Sequence, residues 1–218
     1  MKVLIESITC VDETDLQKKP QEITQERWER ILQIRPLEDK KRSLLAGKLL
    51  HRMCQECGIT DPVYGTVKSG KPVLVDHPEI AFSISHSGEY VVVVYTSKTA
   101  AVGVDIQQLK SMSEGLKKRF LHEEERLWME NQIAVLLSKE NAVKQNDNEL
   151  PVEMRYLNRI WAIKESFVKM TGEGLAHDFR NLCVNLEEKT VTDENGKRVA
   201  FIEPEAPEGY VMAVVLEN

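Results

Sequence analysis

Within the first sixty residues, apolar side chains recur at spacings of three and four, which predicts two amphipathic helices. The first helix covers 24–35 and ends before Pro36, since the residue before a proline disfavours helical geometry. The second covers 38–56 and ends near Gly58, a residue type that commonly closes helices.

The same period returns in the stretch WAIKESFVKMTGEGL, residues 161–175. Ile163, Phe167 and Met170 lie on one apolar face of the predicted helix. Gly172 follows at the position where a glycine commonly ends a helix. This helix organises the rest of the chain, because candidate catalytic residues lie beside its apolar face.

Runs rich in β-branched residues predict the strands. We expect the run YVVVVY at 90–95 to be buried on both faces. Asn195-Gly196 predicts a tight hairpin turn between the strands at 181–187 and 197–202. The predicted strands cover 2–9, 80–86, 90–96, 101–106, 181–187, 197–202 and 210–216.

Between these strands, residues 113–132 show a helical pattern that breaks near Leu121 and His122. Glu123 begins the second piece, where an acid suits the positive end of the helix dipole. The polar segment 138–152 lacks periodicity, which predicts a flexible loop.

The chain also shows a faint internal repeat, because GEYVVVVY at 88–95 resembles EGYVMAVVL at 208–216. Each copy follows a long helix that ends at glycine. We therefore predict an α+β fold of two pseudo-symmetric α/β halves, each a long helix packed on a small, mostly antiparallel sheet. The halves cover 1–106 and 107–218, and the active site lies between them.

The composition is that of a globular protein, with 218 residues of which 42% are hydrophobic and 29% charged. No run approaches the roughly 20 apolar residues that span a bilayer, so we expect no membrane partner. The net charge of −6 argues against nucleic acid, because duplex binders need a concentrated basic face. The N-terminal run MKVLIESITC lacks the features of a signal peptide, which predicts a cytoplasmic protein, and we expect a monomer.

Cys54 and Cys57 form a CxxC pattern, but no second pair lies at the spacing of a zinc site. The pair falls late in a predicted helix, whereas the redox version opens one. We interpret these cysteines as reduced structural thiols.

Three groups of polar residues add candidate chemistry to this picture. Glu165 and Lys169 lie one turn apart on the central helix, and Asp105 lies in a Val-rich strand. His86 stands between two serines at a strand end, where hydroxyl and imidazole groups can bind an anion. A lone Glu-Lys pair is commonly a surface ion pair. The combination instead indicates a phosphate-and-metal site assembled from both halves.

Four motifs in order resemble one known family. GKP at 70–72, FSISHS at 82–87, GVDIQ at 103–107 and WAIKESFVK at 161–169 resemble the 4'-phosphopantetheinyl transferases, in particular the surfactin-synthetase-activating (Sfp-type) group. The similarity extends from about Arg27 to the stretch GYVMAV at 209–214. Each motif alone is weak, but four in register are specific.

The resemblance implies coenzyme A as a co-substrate bound through its phosphates. On the residues alone, a solvated basic helix edge is the favoured interpretation of Arg27 and Arg30, and a structural hydrogen-bonding group that of a lone His86; the resemblance instead favours phosphate binding. The residues that the resemblance and the local sequence assign to coenzyme A are Arg27, Arg30, Arg42, Ser43, Lys71, Ser85, His86 and Lys164.

The resemblance also implies Mg2+, or Mn2+ in its place, bound by Asp105 and Glu165 with Glu125 as a third acid. Glu165 and Lys169 are the expected catalytic residues. The family has Glu where this chain has Gln107, so a fourth contact there brings no charge.

The function implied is Mg2+-dependent transfer of the 4'-phosphopantetheine arm of coenzyme A to a serine of an apo acyl, peptidyl or aryl carrier protein, releasing adenosine 3',5'-bisphosphate. Two alternatives stay open: a non-catalytic module that binds coenzyme A or a carrier protein, and an unrelated metal-dependent phosphohydrolase. Retention of Glu165, Lys169 and His86 together disfavours the first. The lack of an HxH or DxD motif disfavours the second.

Carrier proteins are commonly acidic around the modified serine, whereas this chain is itself acidic. A local basic patch is therefore expected to dock the carrier. We predict that it consists of Lys117, Lys118 and Arg119 with the apolar neighbours Leu116 and Phe120.

Overall fold

The computed structural model describes residues 1–140, 151–174 and 178–217, with the side chains of all but 136–140. Helices and strands alternate in a mixed α+β fold, as the sequence predicts. The α-helices within these residues are α1 (Gln25–Gln33), α2 (Leu37–Glu56), α3 (Glu114–Phe120), α4 (Glu123–Glu140) and α5 (Val152–Thr171). The strands are β1 (Lys2–Ser7), β2 (Tyr64–Thr66), β3 (Pro72–Leu74), β4 (Ala81–Ser87), β5 (Tyr90–Thr96), β6 (Val102–Gln108), β7 (Cys183–Asn185), β8 (Thr190–Thr192), β9 (Arg198–Ile202) and β10 (Tyr210–Leu216).

The long helices form where the period predicts them, and polar caps determine where several begin. The Thr24 side chain accepts a hydrogen bond from the backbone of Arg27 and begins α1, and Ser113 does the same for α3. Gly172 ends α5 in the left-handed conformation, with φ of 74°. None of the described helices is long and apolar enough to cross a membrane.

Two predictions about the second half are corrected. The loop expected at 138–152 overlaps helices at both ends, because α4 continues to Glu140 and α5 begins at Val152; its centre, 141–150, lies outside the described residues. The Asn195-Gly196 turn joins β9 to β8, a strand that the prediction missed because it has only three residues.

A long helix packs against an antiparallel sheet in each half. The first sheet has the order β1-β5-β4 and is covered by α2. The second has the order β6-β10-β9-β8-β7 and lies against α5. The repeated sequences occupy corresponding places, since β5 and β10 both lie between two partner strands. The predicted pseudo-symmetry is therefore visible, although one sheet has three strands and the other five.

Strand β5 is buried on both faces, as expected. Val91 and Val93 join the core beneath α2, whereas Val92 and Val94 pack against residues of β6 and β10. Fully burying a valine side chain contributes on the order of 1.5–3 kcal/mol. This second face joins the two sheets into one molecule.

The strand that carries Asp105 belongs to the second sheet. Along its whole length β6 pairs with β10, from Val102 opposite Leu216 to Gln108 opposite Tyr210. The sequence analysis had assigned 102–106 to the first half, because the strand follows β4 and β5 in the chain. Order along the chain does not determine pairing, and the division at 106 stays a prediction.

Candidate active site between the two halves

The carboxylate of Asp105 is buried and accepts hydrogen bonds from three side chains. Lys169 Nζ lies 2.5 Å and Ser85 Oγ 2.6 Å from Oδ1, and Gln107 Nε2 lies 2.7 Å from Oδ2. A buried carboxylate needs such partners because its desolvation is costly. The structure thus brings together predicted site residues from β4, β6 and α5.

Side chains connect β4 to β6. Three alternate serines of β4 point to one face, as the period of a strand requires, and accept hydrogen bonds from backbone N–H groups of β6. The pairs are Ser83 with Val104, Ser85 with Ile106 and Ser87 with Gln108, at 3.1, 3.4 and 3.0 Å. Ser85 therefore helps to position β6 and Asp105. The sequence analysis did not predict this role.

Gly103 permits an unusually close approach of β6 to α5. A Cβ atom at this position would lie 1.9 Å from the backbone oxygen of Ser166 and 2.5 Å from the backbone nitrogen of Met170. Because only glycine fits, the strand lies directly against the helix that carries Glu165 and Lys169. The sequence analysis missed this positioning residue, although a glycine inside a Val-rich strand commonly marks a close backbone approach.

Glu165 and Lys169 line one wall of a cleft of about 370 Å3, with Ile84 and Lys71 among the other lining residues. Glu165 is half-buried, and burial raises its pKa. The charge of Asp105 raises this pKa further, whereas the ammonium of Lys169 lowers it. The site therefore holds two interacting carboxyl groups, those of Asp105 and Glu165, beside the ammonium group of Lys169, which donates a hydrogen bond to Asp105.

Glu125 and Lys164 lie at a different place from this acid pair. Both side chains are fully buried, with Lys164 Nζ 2.7 Å from Glu125 Oε2. The ammonium also donates to the carbonyls of Phe120 and Phe179, at 2.7 and 2.9 Å. The structure thus places Lys164 in the core of the second half, away from the solvent that a phosphate ligand needs.

The carboxylate of Glu125 is equally occupied. Its Oε2 accepts from the backbone of His122 at 2.8 Å, and its Oε1 accepts from the backbone of Val184 at 2.7 Å. Both oxygens of this carboxylate have partners within the protein, whereas the metal ligand that we expected has an oxygen directed at the ion. The structure does not join Glu125 to the hydrogen bonds around Asp105.

His86 is exposed at the end of β4, within electrostatic reach of Arg42 and Lys169. Partial desolvation lowers its pKa, and the charges of those two cations lower it further. Arg42 donates to Asp39 Oδ1 at 2.7 Å and to the carbonyl of Gly88. These two predicted phosphate ligands therefore lie near each other.

Arg27 and Arg30 line a second cavity of about 650 Å3 between α1, α2 and the β2–β3 hairpin. Arg27 is half-buried and donates to the carbonyl of Ser43 at 3.2 Å. Burial lowers its pKa, and the nearby charge of Arg30 lowers it further. The same cavity is also lined by Glu22 and Glu26, and Glu26 forms an ion pair with Arg30 at 3.3 Å, so the lining charges balance.

Lys71 connects the halves at the mouth of the cleft. Its ammonium donates to the carbonyls of Val102, at 3.1 Å, and Met170, at 3.0 Å. Two of its three N–H groups thus hold the end of β6 to the end of α5. Lys71, which we expected to bind phosphate, therefore also has a structural role.

The predicted docking patch is smaller than expected. Phe120 is completely buried in the core of the second half, and the Lys117 ammonium is bound by Glu114 and Glu153 at 2.8 and 2.6 Å. Lys118 and Arg119 remain exposed. A helix buries one face, so adjacent residues of α3 cannot all face a partner.

The described fold and this site define a class of protein: an α+β enzyme whose acid pair and lysine lie between two pseudo-symmetric halves. The sequence model of the 4'-phosphopantetheinyl transferase superfamily matches residues 101–215. The 4'-phosphopantetheinyl transferase ffp of Bacillus subtilis is 33% identical over 184 residues, which cover 81% of this chain and 74% of that protein. The 4'-phosphopantetheinyl transferase Sfp of Bacillus subtilis (strain 168) is 29% identical over 199 residues, covering 88% and 81%.

A human relative is also similar. The L-aminoadipate-semialdehyde dehydrogenase-phosphopantetheinyl transferase of Homo sapiens is 30% identical over 167 residues, covering 68% of this chain and 51% of that protein. The chain belongs to the 4'-phosphopantetheinyl transferase superfamily. It is therefore an enzyme of the class that transfers phosphopantetheine from coenzyme A to carrier proteins.

Proposed function

We propose that this chain transfers the 4'-phosphopantetheine arm of coenzyme A to a serine of an apo acyl, peptidyl or aryl carrier protein, with Mg2+ as its cofactor. The products are the holo carrier and adenosine 3',5'-bisphosphate. One observation carries the proposal: Asp105 and Glu165 interact electrostatically beside Lys169, next to a cleft between the halves.

The residues present fit Mg2+. Asp105 and Glu165 offer carboxylate oxygens, and Gln107 offers a neutral carbonyl oxygen, which are the hard ligands that this cation prefers. Burial is the first cause of the raised pKa of Glu165, and the charge of Asp105 is the second, so the two carboxylates lie within electrostatic reach of each other. When bound, the cation supplies charge neutralisation at the pyrophosphate of coenzyme A. Mn2+ satisfies the same ligand set.

The side chains of this site handle the protons of the reaction. The serine oxygen of the carrier forms a bond to the phosphorus that bears pantetheine, and the phosphoanhydride bond on its other side breaks. Glu165, or a water that it positions, accepts the serine proton as the general base. Lys169 stabilises or protonates the phosphate that leaves with adenosine 3',5'-bisphosphate.

The remaining predicted ligands bind the nucleotide end. We assign the 3'-phosphate to His86 and Arg42, which lie near each other at the end of β4. Arg27 and Arg30, facing their own cavity, and Lys71 at the cleft supply further positive charge. Phosphates bind where such donors converge.

The carrier protein docks, in this proposal, near Lys118 and Arg119 on the exposed side of α3. A mixed apolar and charged cavity of about 680 Å3 adjoins them, with Leu121, Met129 and Arg180 among its lining residues. We further propose that the enzyme acts as a monomer in the cytoplasm, on carriers of fatty acid, polyketide or nonribosomal peptide synthesis.

The test is incubation with coenzyme A, Mg2+ and an apo carrier protein, followed by weighing the carrier by mass spectrometry. The wild type should add the mass of one phosphopantetheine arm, and Glu165→Gln should add none while keeping its circular dichroism spectrum. Glu188→Gln is the matched control, because that acid lies in an exposed ion pair with Arg198. Full activity of Glu165→Gln across a Mg2+ titration would refute the assignment of this site.

A further inference from the structure

A second group of metal-binding side chains lies in the other part of the C-terminal half. His122, Glu124 and Cys183 each place one ligand atom within 4.8 Å of the other two. His122 and Glu124 lie at the start of α4, and Cys183 begins β7. His122 and Cys183 are half-buried and Glu124 is exposed, so an ion can reach all three from solvent.

The chemistry of this triad differs from that of the acid pair at Asp105. Imidazole, thiolate and carboxylate together are typical ligands of Zn2+ and related cations, whereas Mg2+ takes oxygen ligands. Sites that keep three protein ligands commonly bind water at the fourth position. Here the triad adjoins a cavity of about 390 Å3 that Glu124 and Cys183 help to line.

One distance within the triad matches that of a zinc site. Cys183 Sγ lies 3.5 Å from Glu124 Oε2. Two ligands with Zn–S of about 2.3 Å and Zn–O of about 2.1 Å in a tetrahedron lie about 3.6 Å apart. The Nδ1 atom of His122 accepts a hydrogen bond from the backbone nitrogen of Glu124 at 3.2 Å, which occupies its lone pair, so a metal bond at Nδ1 replaces this hydrogen bond. The three ligand atoms lie within 4.8 Å of one another, and a bound ion draws them closer together.

The backbone beneath the triad is already held in place. The buried carboxylate of Glu125 accepts from the backbone nitrogens of both His122 and Val184, the neighbour of Cys183. One side chain thus joins the two segments that present the ligands, and its own charge is bound by Lys164. Metal sites depend on such supporting contacts for their geometry.

We propose that His122, Glu124 and Cys183 form a second cation site, selective for Zn2+ and similar borderline ions and separate from the site at Asp105 and Glu165. Binding forms metal bonds to the imidazole, the carboxylate and the thiolate, and the thiol proton passes to solvent. The ion links α4 to β7 and stabilises the folded state by mass action. This site does not rest on the proposed transferase reaction.

Co2+ is the probe, because a bound thiolate gives a charge-transfer absorption that Mg2+ sites lack. Chelator-treated protein should show this band on titration with Co2+, and Zn2+ should displace it. Cys183→Ser should abolish the band and weaken binding at least tenfold. Glu124→Gln should weaken binding at least tenfold but keep the band at saturation, since the thiolate is still present.

Cys10→Ser is the matched control, because Cys10 Sγ also contacts a carboxylate, at 3.7 Å from Glu6, and is not part of this triad. It should behave as the wild type. Absence of the band in the wild type, its survival in Cys183→Ser or its loss in Cys10→Ser would each overturn the assignment. A changed Mg2+ requirement for transfer in Cys183→Ser would also overturn it, by showing that the two sites are one.

Discussion

Two lysines of α5, Lys164 and Lys169, each bind a buried acid, yet their surroundings differ. Lys164 and Glu125 are 2.7 Å apart, and neither side chain is exposed. Lys169 and Asp105 are 2.5 Å apart, but 29% of the lysine side chain is exposed beside the cleft. The sequence analysis names all four as candidate site residues, and both lysines lie in the motif at 161–169.

The difference lies in what else each acid binds. Glu125 is satisfied by Lys164 and two backbone N–H groups, so the pair is closed and holds α4, α5 and β7 together. Asp105 is bound by side chains that substrate or metal can displace, and a second acid, Glu165, raises the local negative charge. Burial with backbone partners makes an ion pair structural, whereas exposure beside an unbalanced acid makes it available for chemistry.

The largest effect is expected when each lysine is replaced by Met. Lys164→Met leaves Glu125 buried without its cation, which should lower the free energy of unfolding by about 3–5 kcal/mol. Lys169→Met should change it far less and should abolish transfer. Urea unfolding and the carrier modification assay measure the two outcomes. Lys197→Met, in an exposed pair with Glu217, is the control and should cost under about 1 kcal/mol.

The second prediction concerns Gly103, whose close contact with α5 places Asp105 beside Lys169. Gly103→Ala places a Cβ against the backbone of α5, and relief of that clash should cost about 1–3 kcal/mol. Because β6 must move away from Glu165 and Lys169, transfer should fall more than stability does. Gly115→Ala on α3 is the control, since no atom lies within 4 Å of its added Cβ. Normal transfer by Gly103→Ala would show that the close approach does not position Asp105.

A third prediction concerns added negative charge beside the Lys169–Asp105 pair. Gln107→Glu replaces an amide that donates to Asp105 with a carboxylate, which should lower the Mg2+ concentration for half-maximal transfer several-fold. At low Mg2+ the added charge should raise the pKa of Glu165 further. Since a general base must be deprotonated, the acidic limb of the pH–rate profile should then move to higher pH. Transfer measured over a Mg2+ and pH grid tests both shifts, and an unchanged Mg2+ requirement would exclude Gln107 from the site.

A fourth prediction concerns the nucleotide end. His86→Ala should weaken coenzyme A binding by about 1.5–3 kcal/mol, the range for a hydrogen bond to a charged group. Dephospho-coenzyme A should bind equally to both proteins. The surroundings of His86 lower its pKa in the free protein, whereas the negative charge of a bound 3'-phosphate should raise it. Coenzyme A should therefore bind more tightly as the pH falls. Calorimetry that finds equal losses for both ligands would contradict this assignment.

Local sequence was sufficient for much of the fold. The period of α2 and α5 and the Val-rich strand β5 act over a few residues, so their patterns predicted these elements. The motifs also indicated Asp105, Glu165 and Lys169 as neighbours, and the structure brings them together.

Contacts between distant segments were decided only by the tertiary structure. Strand β6 lies after β5 in the chain, but its backbone pairs with β10, more than a hundred residues later. Glu125 and Lys164 appear in the sequence as site residues, and only packing shows that they close on each other in the core. Periodicity reports which face of an element is apolar, but not which other element covers it. The role of a charged pair depends on this packing, because burial and backbone partners determine whether the pair binds a ligand or stabilises the fold.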